Sequence, residues 1–146
     1  MDHQVKDNQQ YTPLMCAAQS GVVNILIRSR ECNINDSDSM GYTPLAWAAR
    51  NGYTAVVELL LGMETIVPNP LDRFRHTPLS WAARNGHEVV VKRLLDHPGI
   101  DLDIMDINQR SPLSWAVQYS HHTVVKLLLA KTRDQRTLQK PLAINR

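Results

Sequence analysis

The sequence predicts an all-α repeat solenoid of four helix-turn-helix units joined by β-turn or hairpin loops. Three observations predict it. A Thr-Pro-Leu or Ser-Pro-Leu motif recurs at Thr12, Thr43, Thr77 and Ser111, at intervals of 31, 34 and 34 residues. A small-residue pair follows at a fixed offset: Ala17-Ala18, Ala48-Ala49, Ala82-Ala83 and Ala116-Val117. A turn residue closes each segment, at Gly21, Gly52, Gly86 and Ser120. Self-similarity at a fixed period is the mark of stacked units, each too small to bury its apolar face alone.

Each recurring residue has a physical task. The Thr or Ser hydroxyl caps the first helix by accepting from an otherwise unpaired backbone N–H. Proline suits the first helical position, where its missing donor costs nothing. The alanine pair keeps that helix thin enough for neighbouring units to approach, and glycine permits the left-handed turn that ends it. The second helix is carried by Val56, Val57, Leu59, Leu60 and Leu61, then by Val90, Val91, Leu94 and Leu95, then by Val124, Val125, Leu127, Leu128 and Leu129. Their i, i+3, i+4 spacing gives an apolar face. The first copy is short here, Val22 to Arg28, and is expected to be irregular. Asp38, Asp72 and Asp106 open copies two to four, and Asp7 opens the first. The period divides the chain into an extension at 1–6, a repeat domain at 7–132 and a basic tail at 133–146. The repeats run near 7–37, 38–71, 72–105 and 106–132.

These motifs resemble the ankyrin repeat, a β-turn plus two helices with a Thr-Pro-Leu-His-x-Ala signature. The resemblance covers about residues 7 to 132. Two features depart from it. The signature histidine is replaced by Met15, Ala46, Ser80 and Ser114, and the second helix of copy one is short. The stretch Thr77-Pro78-Leu79-Ser80-Trp81-Ala82-Ala83-Arg84-Asn85-Gly86-His87 resembles arrays common in filamentous fungi. The resemblance implies a protein-binding module acting as scaffold, adaptor or regulatory subunit. It implies contacts through hairpin tips and the exposed side of the first helices, along a concave face.

Composition agrees with one globular domain. At 146 residues, with 43% hydrophobic and 21% charged, the chain can bury a core and is not expected to be disordered. The net charge of +2 is uneven. Lys131, Arg133, Arg136, Lys140 and Arg146 against Asp134 give the end +4, leaving −2 for the first 130 residues. A nearly neutral body does not predict nucleic-acid binding. The longest apolar runs, Leu59 to Leu61 and Leu127 to Ala130, fall far short of the ~18 residues a spanning helix needs, so no membrane insertion is expected. The polar start, Met1 to Gln10, does not read as a signal peptide, and an intracellular protein of the cytoplasm or nucleus is expected. Cys16 and Cys32 match no zinc pattern, and Cys16 stands where later copies carry tryptophan, which suits a small core residue.

No catalytic, cofactor or metal site is expected, and the chain is not read as an enzyme. Ser80 with His87, and Ser114 with His121, look like nucleophile and base, but the pairing copies itself one period later and lacks a third orienting group. His121-His122 lacks further ligands at metal spacing and reads as a solvated turn. Asn35-Asp36-Ser37 fits a glycosylation sequon expected to be unused. Asp101, Asp103 and Asp106 lack the glycine and terminal glutamate of a calcium loop.

Residues that recur at the period are explained by stacking, so specific function should lie where copies differ. Trp47, Trp81 and Trp115 occupy one equivalent position and are read as filling space between repeats. The candidate partner-binding residues are Met40, Tyr42, Arg50, Arg73, Phe74, His76, Arg84, Asn85, Arg110 and Tyr119. None is acidic, and arginine and aromatic side chains are the usual interface anchors. The expected partner is another protein, acidic or phosphorylated in character. A monomer is expected, with open ends as a route to self-association. Two alternatives stand beside this reading: an accessory protein of a fungal biosynthetic pathway, and a small-molecule binder or enzyme with a groove lined by Trp47, Trp81 and Trp115. The tail, with Leu138, Leu142 and Ile144, is expected to fold back over the last helix.

Overall fold

Within residues 33–139, the part of the chain that the computed structural model describes, each Thr-Pro-Leu or Ser-Pro-Leu motif starts a helix. Helix α1 (Pro44–Asn51) pairs with α2 (Thr54–Leu61), α3 (Pro78–Asn85) with α4 (Glu88–Asp96), and α5 (Pro112–Gln118) with α6 (His122–Gln139). No strand occurs among the described residues. Copies two to four are helix-turn-helix units, as the period requires. The helices expected of the first copy, with Cys16 and Cys32, fall outside the described residues.

The local chemistry is the same in each copy. Thr43, Thr77 and Ser111 have extended backbones, and their hydroxyls accept from the N–H of Ala46, Ser80 and Ser114. Pro44, Pro78 and Pro112 follow at the first helical position. Gly52 and Gly86 end the first helices with φ of 75° and 72°. Ser120 takes the same left-handed turn at 58° in the last copy.

The units stack in two layers. Helices α1, α3 and α5 lie side by side, and α2, α4 and α6 form a second row behind them. Ala48, Ala49, Ala82, Ala83 and Ala116 are fully buried, so the front helices touch nearly backbone to backbone. Leu45, Leu60, Leu79, Leu94, Val57, Val91 and Val124 fill the space between the layers. Each such side chain contributes roughly 1.5–3 kcal/mol by leaving water. Leu59 and Leu129 do not join this core and stand 41% and 46% exposed on the outside of the second row.

The connections are stitched as well. The N–H of Arg73 donates to the Met40 carbonyl at 3.0 Å, and that of Ile107 to the Phe74 carbonyl at 3.1 Å, so each turn is tied to the one before. Asn35 donates its amide to the Thr65 carbonyl and accepts from the Val67 N–H. One period later Asn69 does the same with Gly99 and Asp101. The sequon asparagine is therefore an inter-repeat tie.

Helix α6 differs from expectation. It runs unbroken through the expected boundary at 132/133 to Gln139, so residues 133–139 extend the helix rather than fold back. The reason is local. No glycine or proline occurs between His122 and Gln139, most residues there are good helix formers, and Thr132 and Thr137 bond back to the carbonyls of Leu128 and Arg133. Leu142 and Ile144 lie outside the described residues. No helix among the described residues is long and apolar enough to cross a membrane.

Candidate functional site

Behind the front face runs a repeating polar unit. Asp38, Asp72 and Asp106 are buried, at 6%, 7% and 2% exposure. One carboxylate oxygen of each accepts from two backbone N–H groups of its own turn: Met40 and Tyr42, Phe74 and His76, Asn108 and Arg110. The other oxygen accepts from an indole nine residues on: Trp47 at 3.2 Å, Trp81 at 3.0 Å and Trp115 at 2.9 Å. A buried carboxylate is tolerable only when so satisfied. Each aspartate thus shapes its turn and orients the tryptophan of the helix that follows.

The residue four places after each aspartate varies, and its surroundings explain the variation. Tyr42 packs between Trp47 and Trp81, with ring centroids 5.1 and 5.9 Å away. His76 packs between Trp81 and Trp115, at 4.8 and 5.7 Å. Its ring nitrogens lie 3.5 Å from Asp72 and 3.2 Å from Asp106, within ion-pair range but off the hydrogen-bond directions. Burial would raise the Asp72 carboxyl. The His76 ring and backbone N–H, together with the Trp81 indole, outweigh that and hold it below its ordinary 3.8. Burial likewise works against Asp106, and the N–H groups of Arg110 and Asn108, the Trp115 indole and the charge of His76 hold it low. The Tyr42 hydroxyl is pushed up by burial and then by the nearby Asp72 charge.

In front of this aromatic column lies a row of guanidinium groups. Arg50 sits over Tyr42, Trp47 and Trp81, its Cζ 4.9 Å from the Trp81 ring centre. Arg84 sits over Trp81 at 5.2 Å, Trp115 at 4.9 Å and Tyr119 at 5.8 Å. Arg110 lies 4.7 Å over Trp115 and donates to the Gln118 side chain. Arg50 and Arg84 are half-buried at equivalent positions, and Gln118 stands at that position in copy four, where Arg110 reaches across from the turn. Among the described residues no carboxylate pairs with Arg50, Arg84 or Arg110. A niche of about 280 Å3 opens between them, lined by Arg50, Trp81, Arg84, Asn85 and Tyr119.

The structure brings together only part of the expected partner-binding set. Arg50, Arg84, Asn85 and Tyr119 meet at the niche, with Arg110 beyond it. Met40, Arg73 and Phe74 belong to the turns, where Arg73 contacts the Met40 sulfur at 3.6 Å and Phe74 is 43% exposed. Tyr42 and His76 do not stand at an exposed tip. Tyr42 is 8% exposed and the His76 side chain 11%, because the aspartate turn directs both inward between tryptophans. Asn85 donates to the Arg50 carbonyl, which fixes its amide.

The histidines after the glycine turns are also structural. The Nε2 of His87 lies 2.8 Å from the Arg50 carbonyl, and that of His121 2.9 Å from the Arg84 carbonyl. Each ring covers the glycine of the preceding unit, and a Cβ at Gly52 or Gly86 would meet it at 2.8 or 2.6 Å. His121 is thus not a solvated turn residue. Ser80 is buried against Thr77, and Ser114 lies beside Ser111, so neither serine pairs with a histidine. Of the three tryptophans Trp81 alone lines the niche, and each is at most 7% exposed with its N–H taken by an aspartate, so they do not form a groove of their own.

A family model described as ankyrin repeats in three copies matches residues 1–70 and 65–138. The chain is an ankyrin-repeat protein. Similar curated proteins include the ankyrin repeat and KH domain-containing protein mask-1 of Caenorhabditis elegans, 43% identical over 61 residues. That match covers 37% of this chain and 2% of the relative. Another is the 26S proteasome non-ATPase regulatory subunit 10 of Dictyostelium discoideum, 39% identical over 59 residues, covering 38% of this chain and 25% of the relative. Alpha-latrotoxin-Lhe1a of Latrodectus hesperus is 52% identical over 44 residues, covering 28% of this chain and 3% of the toxin. The chain spans a quarter or less of each relative's length, so the likeness is one of ankyrin units.

Proposed function

We propose that this protein is a non-enzymatic interaction module that binds an acidic segment of another protein along the front face of the ankyrin stack. One observation carries the reading: three guanidinium groups, Arg50, Arg84 and Arg110, are stacked on indoles with no carboxylate within ion-pair distance among the described residues. Stacking fixes the cation at little cost in side-chain freedom and leaves its N–H edge for an anion. The exposed ring of Tyr119 supplies apolar area beside it. Ankyrin repeats bind other proteins as a class, and the Dictyostelium relative, a protein named as a regulatory subunit, accords with such a role.

Titration of the full chain with poly-glutamate, followed by tryptophan fluorescence, tests this. Saturable binding that weakens with salt and is lost in Arg50→Gln/Arg84→Gln, with the melting temperature held, is the expected result. Equal binding by that variant overturns it.

A further inference from the structure

We infer that a groove beside α6 is the seat of Leu142 to Asn145 of this same chain. The groove holds about 650 Å3 and lies between α6 and the connection into copy four. Leu102, Leu113, Leu128 and Leu129 make its apolar surface, and Asp103 and Thr137 belong to its polar lining. It shares no residue with the niche between the guanidinium groups.

The two joints before it show what such a place holds. Ile66-Val67-Pro68-Asn69 and Ile100-Asp101-Leu102-Asp103 follow the second helices of copies two and three, each an apolar-x-apolar pair closed by Asn or Asp. Ile66, Ile100 and Leu102 are buried in the core. The middle residue of each is held by the joint before: Asn35 accepts from the Val67 N–H at 2.9 Å, and Asn69 from the Asp101 N–H at 3.1 Å. Asp103 stands 34 residues after Asn69, in the same place one period on. Opposite it the pattern changes. Asp134 and Arg136, the counterparts of Ile100 and Leu102, are exposed residues of α6. Leu129 registers the change, at 46% exposure where its counterpart Leu95 has 5%.

The chain carries the same pattern a little later. Leu142-Ala143-Ile144-Asn145 is again apolar-x-apolar-Asn, eight residues behind the period, and α6 has 18 residues against 9 in α4. Pro141 lacks a helical donor and disfavours a helical Lys140, so it suits a change of direction there. The reach is sufficient. Seven residues separate Thr137, at the groove, from Ile144, up to ~23 Å of extended chain. The groove follows α6 from Leu128 to Thr137, only ~14 Å at the helical rise. A segment tethered this closely has an effective concentration on the order of millimolar, which favours it over a second copy or a separate partner. Leu142 and Ile144 fill the apolar surface, and the Ala143 N–H donates to the Asp103 carboxylate.

Amide hydrogen exchange of the full chain, read residue by residue by NMR, tests this. The Ala143 N–H should exchange about tenfold more slowly than in Leu142→Asp/Ile144→Asp, whose melting temperature should also fall. Asp103→Ala should lose most of that protection. Asp103→Asn keeps the acceptor and adds a donor for the Pro141 carbonyl, as Asn35 and Asn69 donate to Thr65 and Gly99, and should keep or raise it. Exchange at Ala143 as fast in the parent as in the double variant overturns the seat, and protection indifferent to Asp103→Ala overturns the bond that defines it. Protection that grows with protein concentration, alongside a dimer in sedimentation velocity, gives the groove to a second copy and overturns the assignment to the same chain.

Discussion

The indole N–H of Trp81 donates to the Oδ2 of Asp72 at 3.0 Å, nine residues back in the same unit, and both side chains are buried. The bond joins the turn to the helix that follows, and Asp38–Trp47 and Asp106–Trp115 repeat it. The tryptophan is thus packing and polar partner at once. Trp81→Phe keeps most of the packing and strands one carboxylate oxygen, and is expected to cost about 1–3 kcal/mol in urea denaturation. Trp81→Ala should cost about 3–5 kcal/mol. A Trp81→Phe variant as stable as the parent would show the bond to be idle.

Acid should weaken the stack through the same carboxylates. Asp72 and Asp106 are held below their ordinary 3.8 in the folded chain, so the unfolded chain takes up protons first as the pH drops. Their contribution is complete above about pH 5 and is lost as pH falls through 3.8 and then through the folded values. Unfolding free energy measured from pH 6 to pH 3 should fall steeply at the acid end, and Asp106→Asn should flatten that slope. A variant curve parallel to the parent's would contradict the assignment.

Gly86 faces two constraints, a φ of 72° and the His121 ring lying where a Cβ would go. Gly86→Ala should therefore cost more than the ~1–2 kcal/mol of the left-handed backbone alone. Removing the ring in Gly86→Ala/His121→Ala should return part of the loss, a coupling that a double-mutant cycle reads directly. Strict additivity would place the strain elsewhere.

The third turn position after each aspartate is left-handed in all three described units. Gly41 occupies it in the first, but Arg75 and Gln109 do so in the others, both at φ 63° and both exposed. Arg75→Gly and Gln109→Gly should each stabilise the chain by about 0.5 kcal/mol, the backbone relief less the added freedom of the unfolded glycine. A rise in melting temperature checks this, and a fall would refute it.

Much of this architecture is legible in the residues. The Thr-Pro-Leu caps, the alanine pairs and the glycine turns act within one unit, so the period and local propensity suffice to read them. The departures in copy four are legible once the stack is known. Val117 replaces an alanine and is 58% exposed, and Ser120 replaces a glycine and is exposed. No later unit among the described residues covers either, so the demand for small size lapses there. Tyr42 and His76 misled for the opposite reason: hairpin-tip residues are usually outward, and only the aspartate turn, with the tryptophans of two units, turns them in. The fixed nine-residue offset of Asp38–Trp47, Asp72–Trp81 and Asp106–Trp115 was the available signal for that pairing. The arginine row depends on side chains crossing between units, which no pattern within one unit reveals. Nor does apolar spacing say how broad a buried stripe will be, and so Leu59 and Leu129, on the expected apolar face, stand 41% and 46% exposed.

The ring of His87 on Gly52 and the ring of His121 on Gly86 give the array a direction of growth. At each of these two joints one unit presents a glycine and a carbonyl, and the unit after it brings the imidazole that covers both. Because residues 72–105 carry both halves of this joint, a tandem duplicate of that segment would meet a matching partner at either side. The array can therefore gain or lose whole 34-residue blocks, with the front row of guanidiniums lengthening or shortening in step.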